Sequence, residues 1–197
     1  MPIRNYVFNE RFTPTNFNTY SLNNGLKHIA NQNMGGPTSA GVELYNCFTT
    51  EFDAYRIVVN DIFSYATNFE NVVMQMATGG TTPYTGGAYY GAGTGVQYGS
   101  TTSLVVGESA ATSWFITKVY GTSFRTASCV IDLCGIISPR RPEITVMASD
   151  TAVSTSGGTT WLKTGLLYNQ ATYTGFRLYS PSASISAQCQ VYGYRKA

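Results

Sequence analysis

Ten carboxylates, one histidine and four cysteines are the side chains of this chain that could serve acid–base, nucleophilic or metal chemistry. The carboxylates offer the one serious enzymatic route, glycoside hydrolysis by two acids held roughly 5–9.5 Å apart. Candidates are Glu51, Asp53, Asp61, Glu70, Asp132, Glu143 and Asp150. Glu51 and Asp53 flank Phe52 in FTTEFDAYRIVVNDI (48–62), just before an apolar run, where short acids commonly accept hydrogen bonds from turn backbone. Asp132 interrupts the apolar stretch SCVIDLC (128–134). Alternation puts it opposite Cys129, Ile131 and Leu133, and on a buried face it would need a partner such as Arg56 or Arg125.

The other groups suggest less chemistry. His28 is the only histidine, no G-x-S-x-G elbow accompanies it, and it reads as a structural or surface residue. Cys47, Cys129, Cys134 and Cys189 have no C-x-x-C spacing and lie in apolar runs, so they are expected to be free, buried thiols. No paired Cys/His set of zinc-ligand spacing and no dense Asp/Asn loop of the calcium type occurs, and neither metal nor cofactor is expected. The residues imply a protein that is not an enzyme.

The elements that must position these side chains are strands. Short β-branched and aromatic runs alternate with polar residues from residue 42 onward, separated by Gly, Ser, Thr and Pro clusters. Strands are predicted over 42–48, 54–60, 72–77, 113–120, 128–134, 143–149, 160–168, 175–180 and 185–195, with two more around 88–93 and 102–107. In the last, Ile185, Ala187, Cys189, Val191 and Gly193 share one face, and Ser186, Gln188, Gln190, Tyr192 and Tyr194 the other. One packed face and one wet face is the mark of an antiparallel sheet, and the spacing implies an all-β antiparallel sandwich or jelly roll.

Two regions break this pattern. Residues 1–40 read as an N-terminal arm and linker ahead of a sandwich domain at 41–197. The arm is Asn- and Thr-rich, with scattered aromatics Tyr6, Phe8, Phe12, Phe17 and Tyr20. It is either a frayed terminus or a segment that orders against a neighbouring subunit. Within it Leu22, Leu26 and Ile29 have helix-like spacing, which allows one short helix weakened by Gly25. The second region, 79–99, interleaves Tyr84, Tyr89, Tyr90 and Tyr98 with glycines. It is either a long hairpin or a contact and sugar-stacking surface, since tyrosine offers rigid area at low entropy cost.

Composition narrows the partners. Charged residues are 11% of the chain, against roughly 25% in ordinary soluble domains. The net charge is +2, and the longest basic runs are Arg140-Arg141 and Arg195-Lys196, which argues against nucleic acid. No run approaches the roughly 18 apolar residues of a membrane helix, and the N-terminus lacks a signal-peptide core, so folding in a cytoplasm is expected. A polar but uncharged surface is readily covered by other proteins. The chain is expected to be complete from Met1, without coiled-coil heptads or fibre repeats.

NCFTTEFDAYRIVVNDI (46–62) resembles a signature of virion proteins of tailed phages, especially phages of aquatic bacteria, in which an (F/Y)-D-x-Y-x-I-x-(V/I) strand opens a β-sandwich. Thr174-Gly175-Phe176 leading into RLYSPSASISAQCQVYGYRKA is similar to its closing strand. The resemblance implies capsid decoration or cement proteins, tail-fibre or spike domains, often trimeric jelly rolls, and carries over no catalytic residues. The first expectation is a decoration protein on the virion, a homotrimer touching the major capsid protein or other virion proteins. The second is a tail-fibre or spike domain binding a host surface glycan, with Tyr192 and Tyr194 joining the Tyr/Gly segment. A third is a glycan-cleaving enzyme. In the shared stretch Phe48 and Phe52 are expected to close the core, Asp53 to cap the turn, and Asp53 and Asp61 to mark the strand ends.

Overall fold

In the computed structural model, residues 25–33, 38–64, 66, 69–98, 103–120, 126–137, 140–150 and 158–195 are described. The arm residues Tyr6, Phe8, Phe12, Phe17 and Tyr20 lie outside them.

Alternating side chains build thirteen strands among these residues. They are β1 (Leu26–Asn33), β2 (Val42–Leu44), β3 (Phe52–Ser64), β4 (Phe69–Thr78), β5 (Thr82–Pro83), β6 (Tyr89–Gln97) and β7 (Ser103–Ala111), followed by β8 (Trp114–Tyr120), β9 (Ala127–Cys134), β10 (Glu143–Asp150), β11 (Thr159–Leu167), β12 (Gly175–Tyr179) and β13 (Ile185–Arg195). An eight-stranded sheet runs β1-β13-β3-β9-β10-β11-β6-β7, and a five-stranded sheet runs β2-β12-β4-β5 with β8 also paired to β4. Every pairing is antiparallel. The two sheets bury one core between them, so the protein is an all-β antiparallel sandwich.

The core follows the period of two. Tyr55, Ile57 and Val59 are fully buried on β3 while Arg56, Val58 and Asn60 face outward. Phe48 and Phe52 are buried and meet Tyr55 edge-on at 4.7 and 5.8 Å between ring centroids, closing one end of the core. The Tyr55 hydroxyl donates to the Thr49 carbonyl and accepts from the Thr49 amide, both at 2.7 Å, which pins the loop before β3. On β13 the expected inner face is buried, and Ser186 joins it at a register shift beside Gln188.

Three local expectations need correction. The helix allowed around 21–32 is absent where the chain is described: residues 26–33 are strand β1, the sheet edge paired with β13. Its alternation is faint because an edge strand of Lys, His, Asn and Gln has little burial contrast. Part of the region assigned to the arm thus belongs to the sandwich. The strand predicted over 42–48 stops at Leu44, since Asn46 turns the chain with φ 58° and sends Cys47 and Phe48 into the core. Asp61 does not end its strand. It is the extra residue of a bulge in β3, with φ 52°, out of step with both β13 and β9.

Candidate functional site

The outer face of the eight-stranded sheet carries the site. Register aligns Tyr194, Ala54, Cys134, Glu143, Leu166 and Tyr90 across β13, β3, β9, β10, β11 and β6. The next row on that face is Tyr192, Arg56, Asp132, Thr145, Thr164 and Ala92. Between Tyr194 and Tyr90 lie five inter-strand steps, about 24 Å. A cleft of about 490 Å³ lies there, and its lining includes Ala54, Ala92, Asp132, Glu143, Thr145, Thr164, Gly165 and the two tyrosines. An aromatic stands at each end, and between them small Ala, Thr and Gly residues are interleaved with Cys134, Glu143, Leu166 and Asp132.

Asp132 is the best-anchored polar group of this cleft. Its directly opposed residue on β3 is Arg56, whose Nε and Nη2 donate to the two carboxylate oxygens at 2.8 and 2.7 Å. The Tyr194 hydroxyl donates to Asp132 Oδ1 at 3.1 Å, and the Arg56 guanidinium lies 5.7 Å from the Tyr194 ring centroid. The hydrogen bonds from Arg56 hold the Asp132 carboxyl below its ordinary pKa, against the opposing effect of partial burial. Burial and the bond to Asp132 raise the Tyr194 phenol.

Asp132 and Glu143 are diagonal neighbours across β9 and β10, a relation that sets side chains about 7–8 Å apart. That spacing falls within the range of paired hydrolytic acids. The bidentate clamp, however, occupies both Asp132 oxygens and keeps the group ionised, so it serves as an anchor and not a proton donor.

The remaining carboxylates are dispersed. Glu51 pairs with Lys27 at 2.8 Å in the open, Glu70 accepts from the Ser182 hydroxyl, and Asp53 and Asp61 are exposed on β3. Asp150 is buried, accepting from the Thr159 amide at 2.9 Å and Trp161 Nε1 at 3.0 Å; burial pushes its pKa up. His28 is exposed on β1, its ring edge-on to Tyr192 at 5.5 Å. Cys47, Cys129 and Cys189 are buried and free, and burial raises the first two thiols to about 12. Cys134, expected to be buried, is exposed on the cleft because it shares Asp132's outward phase.

The six tyrosines of the expected contact surface are not brought together. Only Tyr90 and Tyr194 line the cleft. Tyr89 is fully buried, so it cannot be a contact residue; its hydroxyl accepts from the Met76 amide at 3.0 Å and donates to the Tyr84 carbonyl at 2.9 Å. Tyr84 is half-buried against Tyr89 and Tyr173. Tyr98 is exposed, with its hydroxyl 2.7 Å from Thr160 Oγ1, and Tyr192 donates to Gln190 Oε1 at 2.8 Å.

A second ionic group lies inside the sandwich. Lys163 Nζ stands 2.6 Å from Glu108 Oε2 and donates to the Phe115 carbonyl at 2.8 Å, while Glu108 Oε1 accepts from the Phe115 amide. Phe115 lies on β8, an edge of the smaller sheet, so the pair satisfies edge backbone from the opposite sheet. The glycines of β6 make the room: a Cβ at Gly91 would sit 2.7 Å from Glu108 Oε2, and one at Gly95 2.7 Å from the Trp161 ring. Desolvation pulls the Lys163 pKa down, opposed by Glu108. The signal in the sequence is phase, since Glu108 shares the strand face of Leu104 and Val106, and Lys163 that of Trp161.

No protein-family model, curated protein or solved structure matches the chain.

Proposed function

We propose that this chain is a non-enzymatic virion β-sandwich that binds an oligosaccharide in the cleft between Tyr194 and Tyr90. The virion setting rests on the resemblance of residues 46–62 and 174–197; the ligand rests on the cleft. One observation carries the reading: two tyrosines from distant strands stand at the ends of one open trough whose lining between them combines small Ala, Thr and Gly residues with Cys134, Glu143, Leu166 and Asp132. Tyrosine rings take the apolar C–H faces of a sugar and keep a polar tip for its hydroxyls. The Arg56–Asp132–Tyr194 group is already ordered by its own bonds, so little side-chain freedom is lost when a hydroxyl binds there. An open trough suits a chain lying along it.

A glycan array followed by titration tests this. Binding is expected, with Tyr90→Ala or Tyr194→Ala weakening it by about tenfold. Absence of binding across the array would sink the reading, and release of shortened products would overturn its non-enzymatic part.

A decoration role is the second reading, favoured by a different row of the same face. There Val58, Val130, Met147 and Leu162 align in register, with Met147 and Leu162 62% and 57% exposed, beside a row of Asn60, Ser128, Ser149 and Thr160. An apolar, uncharged strip of this kind fits a subunit or capsid-protein contact. A homotrimer in solution that is present in purified heads, and dissociates with Leu162→Asp, supports it. A monomer absent from heads rejects it.

A further inference from the structure

The cleft does not end at Glu143. A second cleft, of about 720 Å³, is lined by Cys134, Gly135, Arg140, Arg141, Glu143, Leu166 and Gln170. Cys134, Glu143 and Leu166 line both, so the two are continuous at the strand ends where β9 stops and β10 begins. Their electrostatics differ. In the first cleft Arg56 neutralises Asp132, and the remaining charge is the Glu143 carboxylate that both clefts share. In the second, Arg140 and Arg141 stand with Glu143, two cations against one anion, and neither arginine has a carboxylate within ion-pair distance among the described residues.

Arg141 is also held in place. Its guanidinium carbon lies 3.6 Å from the Tyr168 ring centroid, and Tyr168 meets Tyr90 edge-on at 6.3 Å. The stacked guanidinium keeps its N–H edges for a planar acceptor, the geometry that suits a carboxylate. Tyr90 therefore belongs to the first cleft and, through Tyr168, to the arginine end.

We infer that the two clefts form one extended site for an acidic oligosaccharide, a uronic-acid chain whose carboxylate is taken by Arg140 and Arg141 while neighbouring sugars lie on the Tyr90 side of the trough. The inference rests on the oligosaccharide reading of the first cleft and adds the charge of its ligand. The low overall charge of the chain sharpens the contrast, because few other cations compete for such a ligand.

Calorimetric titration of the full chain with oligogalacturonate and with a neutral cello-oligosaccharide of equal length tests it. The acidic chain is expected to bind about tenfold more tightly at low salt, the effect of one charge-assisted pair. That preference should shrink as salt screens the charges. Arg140→Gln with Arg141→Gln should erase the preference, so that the two chains bind the variant equally. Equal affinity of the wild type for both chains overturns the inference while sparing the oligosaccharide reading. Binding of neither overturns both. Galacturonic acid monomer binding as tightly as the oligomer reduces the arginines to a small-anion site and also overturns it.

Discussion

Two Lys/Arg–carboxylate groups, Glu108–Lys163 and Arg56–Asp132, use the same chemistry on opposite sides of one sheet. Side-chain exposures are 9% and 2% for Glu108 and Lys163, against 38% and 39% for Arg56 and Asp132. In the interior, each unpaired charge would carry a desolvation cost of several kcal/mol, so every contact is committed to the fold. On the surface, water shares the load, and the pair contributes little stability but keeps its hydrogen-bonding edge for a ligand. Burial thus separates a structural ion pair from an available one, although the sequence shows four similar charges.

The largest break in this comparison comes from the interior. Lys163→Ala strands Glu108 beside Phe115 and should cost roughly 3–5 kcal/mol, read by denaturant unfolding. A loss below about 1 kcal/mol would mean that water reaches the pair. Gly95→Ala tests the room left for Trp161, where the new Cβ would lie 2.7 Å from the ring; overpacking of this kind costs about 1–3 kcal/mol. Unchanged stability would show that the indole can step aside.

On the surface, Asp132→Asn should change stability at neutral pH by no more than about 1 kcal/mol. Its larger effect should fall on glycan affinity, which the same titration reads. The smallest effect is one of sign. Asp132 has a lowered folded pKa, so its stabilisation is present above the unfolded value of about 3.9 and is lost as pH falls below it. Asp150 has a raised folded pKa, so the folded state takes up its proton first and gains relative stability as pH falls toward about 3.9. Asp132→Asn should therefore flatten the acid loss of stability, and Asp150→Asn should steepen it as pH falls toward about 3.9. Parallel pH profiles for the two variants would remove the contrast.

Most strands were legible because burial on one face writes a period of two into residues such as 54–60 and 185–195. Strand β1 was not, since its Asn and Gln positions leave little contrast at the sheet edge. The partner of Asp132 could be narrowed to Arg56 or Arg125, but only register places Arg56 opposite it from 76 residues away. The cleft was half visible. Tyr90 and Tyr194 are two of six candidate tyrosines in the sequence; the strand expected around 88–93 parts adjacent Tyr89 and Tyr90 to opposite faces but does not say which of them turns outward. In the sequence Arg140 and Arg141 are only a basic run too short for nucleic acid. Their relation to the tyrosines depends on a sheet order that joins β9, β10, β11 and β6.

The tie at Phe115 also bears on the order of folding. Its amide and carbonyl are bound by two ions from β7 and β11, the second 48 residues away in sequence. Because the two ions reach Phe115 from the opposite sheet, we infer that they keep their water until both sheets have met and that this contact closes after the transition state. Replacing Glu108 and Lys163 together by apolar residues of similar volume removes that late dehydration step. Refolding of such a double variant should keep its speed, and any change in stability should fall on the unfolding rate, because the contact forms after the transition state.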